Sequence, residues 1–136
     1  MLIDTNVWSE LLRIRPEPRV VSFLAENRDR LVLSAIVAGE MEFGIAKETD
    51  PSRRKQYELF LEDVRTLSED RLLKPDLESA RVWGIVKARL KKAGKPIADI
   101  DLLIAAQAIA ADMPLVTRNI SDMARTGATI INPWQA

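Results

Sequence analysis

A single α/β domain built from βαβ units is the fold class expected from two observations. Short apolar runs suited to buried parallel strands alternate with long helical patterns, and no linker or repeat divides the 136 residues. A chain of this length buries about two thirds of its unfolded surface in one core. The 47% hydrophobic fraction beside 29% charged residues is that of a globular protein, and no apolar run approaches the roughly 18 residues of a membrane span.

The elements follow in order. "LI", Leu2 and Ile3, reads as a first strand closed by Asp4, and a helix is expected over Val7 to Arg13. "RIRPEP" is a short connection, and Pro18, suited to a first helical turn, opens a helix reaching Asn27. "LVLS", Leu31 to Ser34, is the second strand. Helices over Ile36 to Lys47 and, opened by Pro51, to Leu67 lead to the third strand at Arg71 to Lys74. A helix over Asp76 to Ala93, the connection "KKAGKPIAD" and a helix over Asp101 to Ala111 come next. Strands at Leu115 to Thr117 and Thr129 to Ile131, separated by a polar turn, complete the set.

Composition removes several chemistries. With no cysteine there are no disulfides, zinc knuckles or thiol nucleophiles; with no histidine there is no Ser-His-Asp triad and no two-histidine ribonuclease site. Carboxylates around a hard metal ion are the remaining common route to hydrolysis near neutral pH. Twenty basic and twenty acidic residues leave no net charge, so a nucleic acid would be met by a local patch. Asp4 interrupts the N-terminal apolar run after three residues, unlike a secretory signal, and a cytoplasmic location is expected.

Four polar positions stand in apolar surroundings. If the sheet is parallel, Asp4 and the "TRNISD" segment share its carboxyl edge, where open α/β sheets bind ligands. Glu40 lies in the apolar helix "SAIVAGEMEFGIA", which is expected to be largely buried, whereas Glu42, about 200° further round, reads as solvated. Asp99 and Asp101 begin the apolar helix in which Gln107 is the only polar residue from Leu102 to Ala111. If Asp99 is the cap, Asp101 lies inside the first turn and leads the face of Ile104, Ala105 and Ala108. Thr117, Asn119 and Asp122 follow the fourth strand, where turn and cap roles compete with a functional one. Acids gathered from these four places repel one another unless a cation sits among them, and magnesium or manganese, which take oxygen ligands, suits such a set.

At these residues the chain closely resembles the PIN-domain ribonucleases, specifically the VapC-type toxins of toxin-antitoxin pairs. The matching segments are "IDTNVWSELLR", "LSAIVAGEMEFGI", "GKPIADIDLLIAAQA" and "PLVTRNISDMARTGATIINPW", which together span nearly the whole chain. The resemblance implies a three-layer α/β/α fold around a central, mainly parallel sheet, over one domain of residues 1–136. It also implies a Mg2+- or Mn2+-dependent endoribonuclease, a small VapB-like antitoxin that blocks the site, and a homodimer. By position, the metal-binding acids are Asp4, Glu40 and Asp101. Where many members carry a fourth acid directly after the strand, this chain has Asn119, with Asp122 three residues on. Thr5, Thr117 and Asn119 are candidates for orienting ligands or water, and Asp122 for an outer ligand. Arg118 and "KARLKKAGK" are the nearest candidates for RNA phosphates, the alternative for the stretch being a solvated helix end. Trp8, Leu11 and Leu12 are antitoxin-contact candidates, with Trp8 more in keeping with a core position. A competing reading, supported by Asn119, is a catalytically weak module that acts with its antitoxin on operator DNA, the antitoxin supplying the DNA-reading element. A phosphoacceptor receiver domain is discounted, because the adjacent acids expected after its first strand are missing.

Overall fold

The computed structural model describes residues 1–136. Five strands, β1 (Leu2–Ile3), β2 (Val32–Ser34), β3 (Leu72–Leu73), β4 (Leu115–Val116) and β5 (Ile130–Ile131), form one sheet in the order β3-β2-β1-β4-β5. Every neighbouring pair is parallel. The helices are α1 (Thr5–Glu10), α2 (Pro18–Glu26), α3 (Ala35–Lys47), α4 (Pro51–Leu67), α5 (Leu77–Lys92), α6 (Asp99–Ala110) and α7 (Ile120–Met123). From β1 the chain winds outward through β2 to β3, then returns across the sheet to β4 on the other side of β1. Right-handed crossovers therefore place α1 to α4 over one face and α5 to α7 over the other, giving the three layers.

Two-sided coverage explains the strand composition. Leu2, Ile3, Leu33, Leu115 and Val116 are buried, and they pack with Val7, Trp8, Val20, Leu24, Val37 and Val64 on one face and with Ile104, Ala105, Ala108 and Met123 on the other. Val86, Leu90 and Leu102 form a smaller cluster that joins α5 to α6. Trp8 is a core residue. No helix is long and apolar enough to cross a membrane.

All five expected strands are present, and the differences lie at helix ends. The first helix starts at Thr5, because the Asp4 side chain caps it, and stops at Glu10, short of the expected Arg13. Asp99 is not the cap of α6: Ala98 occupies that position, Asp99 is the first helical residue, and its carboxylate pairs with Lys87 Nζ at 2.9 Å. The turn expected after β4 is instead the short helix α7 followed by a 3-10 turn over Ala124–Thr126, ended by Gly127 at φ 90°. A further 3-10 turn covers Arg28–Arg30. The helix α3 is less buried than its apolar sequence suggests. Only Val37 and Ile45 are enclosed, while Phe43 is 65% exposed, since one side faces the sheet and α4 and the other faces solvent.

Gln107 ties the layers together. Its Oε1 accepts from the Ser34 hydroxyl and its Nε2 donates to the Leu73 carbonyl at 3.1 Å, so one side chain joins α6 to the ends of β2 and β3. Ser34 in turn caps α3 by accepting from the Ile36 and Val37 amides. Replacing Gln107 with Leu leaves the buried Ser34 hydroxyl without its acceptor and the part-buried Leu73 carbonyl without its side-chain donor, at a cost of about 1–3 kcal/mol. Urea denaturation of Gln107→Leu is expected to show a lowered midpoint with an unchanged slope; an unchanged midpoint would remove this role.

Candidate active site at the carboxyl edge of the sheet

In an all-parallel sheet every strand ends on the same edge, and the reversal of winding between β1 and β4 opens a crevice there. The register Ile3 opposite Val116 makes Asp4 and Thr117 neighbours across that crevice. Asp4 is only 4% exposed. Its Oδ1 accepts from the Thr5 amide at 2.8 Å, and its Oδ2 accepts from the Thr117 hydroxyl at 2.8 Å and the Asn6 amide group at 3.2 Å. The capping role is real, but it engages only one of the two oxygens.

Thr117 is the hub. Besides donating to Asp4, its hydroxyl accepts from the Asn119 amide at 3.0 Å and from Asn6 Nδ2 at 3.2 Å. Asn6 Oδ1 accepts from the Arg118 backbone amide at 3.1 Å, so β1 and β4 are laced together just beyond their last paired residues. Thr5 links the next acid, its hydroxyl donating to Glu40 Oε1 at 2.6 Å. Asp101, on the first turn of α6, receives no hydrogen bond and no ion pair, whereas Asp122 on α7 pairs with Arg125 and lies 3.5 Å from Asn119 Nδ2.

Charge crowding is visible in the protonation equilibria. Burial, first, and then the charge of Glu40 push the Asp4 carboxyl above its ordinary value, against the hydrogen bonds from Thr117, Thr5 and Asn6. Asp101 is also raised, by burial first and then by the charges of Asp4 and Asp122. Asp4, Glu40 and Asp101 have no basic partner, and the charge of Glu40 acts on Asp4 as the charge of Asp4 acts on Asp101. They are within electrostatic reach without being closed up: no three converge as a preformed ligand group. Oxygen donors with uncompensated negative charge suit a hard divalent cation.

Of the sequence candidates, Asp4, Thr5, Glu40 and Thr117 are joined by direct contacts, with Asp101 and Asp122 beside them. Arg118 is exposed at the rim, its guanidinium stacked 4.9 Å from the centre of the Trp134 ring. The basic stretch is partly structural. Lys87 pairs with Asp99 and lies over Trp83, and Arg89 donates to the Arg125 carbonyl, leaving Lys91, Lys92 and Lys95 at the surface. Two residues were not singled out by sequence. These are Asn6 and Arg125, and only the fold shows their partners. A groove of about 360 Å³ between α1, α3 and α4 opens beside Glu40, with Leu12, Met41, Tyr57 and Phe60 as its apolar lining.

The PIN domain family model matches residues 1–128. A relative from Sinorhizobium fredii described as VapC ribonuclease Y4jK is 36% identical, over 99% of this chain and 98% of that one. The crystal structure of FitAcB from Neisseria gonorrhoeae superposes with a TM-score of 0.89 at 32% identity, covering 99% of each chain. A structure of FitAB bound to the IR36 DNA fragment gives a TM-score of 0.86 at 33% identity, covering 98% of this chain and 94% of that one.

The crowding has a measurable sign. Because the folded state raises the Asp101 carboxyl above 3.8, its charged form costs stability at neutral pH, and that cost disappears as pH falls through the raised value toward 3.8. Asp101→Asn is therefore expected to raise the metal-free melting temperature at pH 7, on the order of a few degrees for a partly exposed group, with the advantage closing as pH falls toward 4. Asp4→Asn is a poorer probe, because an amide nitrogen cannot accept from Thr117 and Asn6. A lowered melting temperature for Asp101→Asn at pH 7 would contradict the crowding.

Proposed function

The chain belongs to the PIN-domain family, and we propose that it is the toxin of a toxin-antitoxin pair, an endoribonuclease that hydrolyses RNA phosphodiester bonds with Mg2+ or Mn2+. The observation that carries this reading is the trio Asp4, Glu40 and Asp101, uncompensated by any basic side chain, at the switch point of a parallel sheet in a chain without histidine or cysteine. The VapC ribonuclease of Sinorhizobium fredii, similar over its whole length, supports the same substrate class.

Asp4, Glu40 and Asp101 are the residues that would hold the ion. When bound there, a hard divalent cation supplies charge neutralisation at the phosphate and activation of water near neutral pH. The chain's own groups prepare the site. Thr117, Asn6 and the Thr5 amide hold the Asp4 carboxylate in one orientation, and the Thr5 hydroxyl does the same for Glu40. Arg118 at the rim offers a cation to the RNA backbone, and Asn119, its backbone amide anchored on Thr117, keeps its side-chain amide beside Asp122. Asp122 acts from outside the trio.

The same reading includes a small VapB-like antitoxin. The groove between α1, α3 and α4 is lined by Glu40 beside its apolar residues, so a partner segment lying in it can bring a basic side chain to that acid. DNA then enters only through that partner; FitAB is a complex seen with a DNA fragment, and this supports the operator-binding side of the reading without the loss of catalysis that Asn119 suggested. Two-fold pairing of the chain and a cytoplasmic location belong to the proposal, with exposed Phe43, Leu77 and Ile85 supplying apolar surface for pairing.

Purified chain, freed of any partner, is expected to cut RNA in Mg2+ or Mn2+ and to stop in chelator. Asp4→Asn should lower the rate by about 10²-fold or more, the scale of losing one preorganised charged group. Asn119→Ala, which removes only an outer amide, should cost about tenfold. Cleavage that survives chelator, or full activity in Asp4→Asn, would contradict the metal mechanism. Expression of the chain alone is expected to arrest growth, and co-expression of the small protein encoded beside it to restore growth; harmless expression would remove the toxin role.

A further inference from the structure

Arg118 leaves the end of β4 directly after Thr117, whose hydroxyl donates to Asp4. Its backbone amide is fixed on Asn6 Oδ1 at 3.1 Å, but its exposed side chain behaves unlike the other cations around the cleft. Lys87 pairs with Asp99 and Arg125 with Asp122, whereas the Arg118 guanidinium makes no ion pair and donates no hydrogen bond within the chain. It lies instead over the Trp134 ring, 4.9 Å from the ring centre.

Trp134 is set there by the fold. β5 runs beside β4 with Ile131 opposite Val116, and the Thr117 amide donates to the Ile131 carbonyl at 3.0 Å, so the segments leaving the two strands emerge side by side. One carries Arg118, and the other is Asn132, Pro133 and Trp134. The Trp134 amide donates to Asn132 Oδ1 at 3.0 Å, its carbonyl accepts from Arg19 Nη1 of α2 at 2.9 Å, and its half-buried side chain packs against the core. The ring is a fixed surface, while an unheld arginine on the rim would sample many rotamers. Stacking occupies the flat face of the guanidinium and leaves its N–H edge, the part that matches phosphate geometry, unused.

We propose that Trp134 is a positioning residue for the substrate: it holds the Arg118 guanidinium at the rim, off the acids of the cleft, with the N–H edge presented to a backbone phosphate of RNA. The inference rests on the RNA reading above. It adds that this contact is independent of sequence, since a phosphate carries no base information, and that an aromatic ring outside the acidic cleft preorganises it.

Steady-state cleavage of single-stranded RNA of random sequence, carrying a fluorophore and a quencher, tests this with the full chain in Mg2+. Trp134→Leu should raise KM about three- to fivefold, the scale of an exposed cation–π contact, with kcat within about twofold. Trp134→Phe, which keeps a ring, should lie within about twofold of wild type in both. Arg118→Gln should raise KM about tenfold and flatten the slope of log KM against log salt by about 0.7, the share of one phosphate on a single strand. In Arg118→Gln/Trp134→Leu, KM should equal that of Arg118→Gln alone, because the ring acts only through the arginine. Nuclear magnetic resonance decides the question even if Trp134→Leu does not fold. The Arg118 Nε–H signal, identified by its loss in Arg118→Gln, should be displaced upfield by the ring current and should move when the same RNA is added in chelator. An undisplaced or unmoved signal, additive effects in the double variant, a fall in kcat at unchanged KM in Trp134→Leu, or Trp134→Phe as impaired as Trp134→Leu would overturn the assignment while leaving the RNA reading intact. Failure of the wild type to cut the RNA in Mg2+ would remove both.

Discussion

Asp4 sits buried at the carboxyl end of the central strand with no cation beside it, and the rest of the site is arranged around that charge. A carboxylate in such a place is costly unless it is hydrogen-bonded or matched by a positive charge. The fold meets the first condition through Thr117, Asn6 and the Thr5 amide, and leaves the second unmet. Glu40 and Asp101 add to the same field, and the raised protonation equilibria of Asp4 and Asp101 express the cost. On the metal reading proposed above, binding of a divalent cation would recover that cost.

The topology makes this possible. Strands of two or three residues stop as soon as they reach the edge, and the parallel arrangement delivers Asp4, Ser34 and Thr117 to one side of the molecule. Helices then bring the remaining acids: α3 carries Glu40 one and a half turns in, and α6 carries Asp101 in its first turn. Gln107, deeper in α6, anchors that helix to the ends of β2 and β3, so the position of Asp101 is coupled to the sheet through a buried amide. Arg125 and Arg89 tie the last segment of the cleft to α5 and to the connection before α6.

Much of this was legible in the sequence because the physical signals were local. Apolar runs too short for helices marked the strands, and Pro18 and Pro51 marked helix starts that the structure reproduces at the same residues. Asp4, Glu40 and Asp101 stood out as charges in apolar surroundings, and all three lie at the cleft. What depended on tertiary contact was not legible. Asp99 and Asp101 share one helical turn, and only the fold shows Asp99 paired at the surface with Lys87 of α5 while Ala98 takes the cap position. A four-residue helix such as α7 carries too few residues for any periodicity, so its segment read as a turn. The apolar sequence of α3 suggested enclosure, yet the exposed Phe43 shows that apolar composition does not distinguish a core face from an exposed one.

The claim that Asp4, Glu40 and Asp101 together hold a divalent ion is tested most directly by locating that ion. Crystals of the chain equilibrated with Mn2+ and measured at the manganese absorption edge should show anomalous density in the cleft bounded by these three carboxylates. An empty cleft at saturating Mn2+, or anomalous density confined to other acidic residues of the surface, would contradict the account.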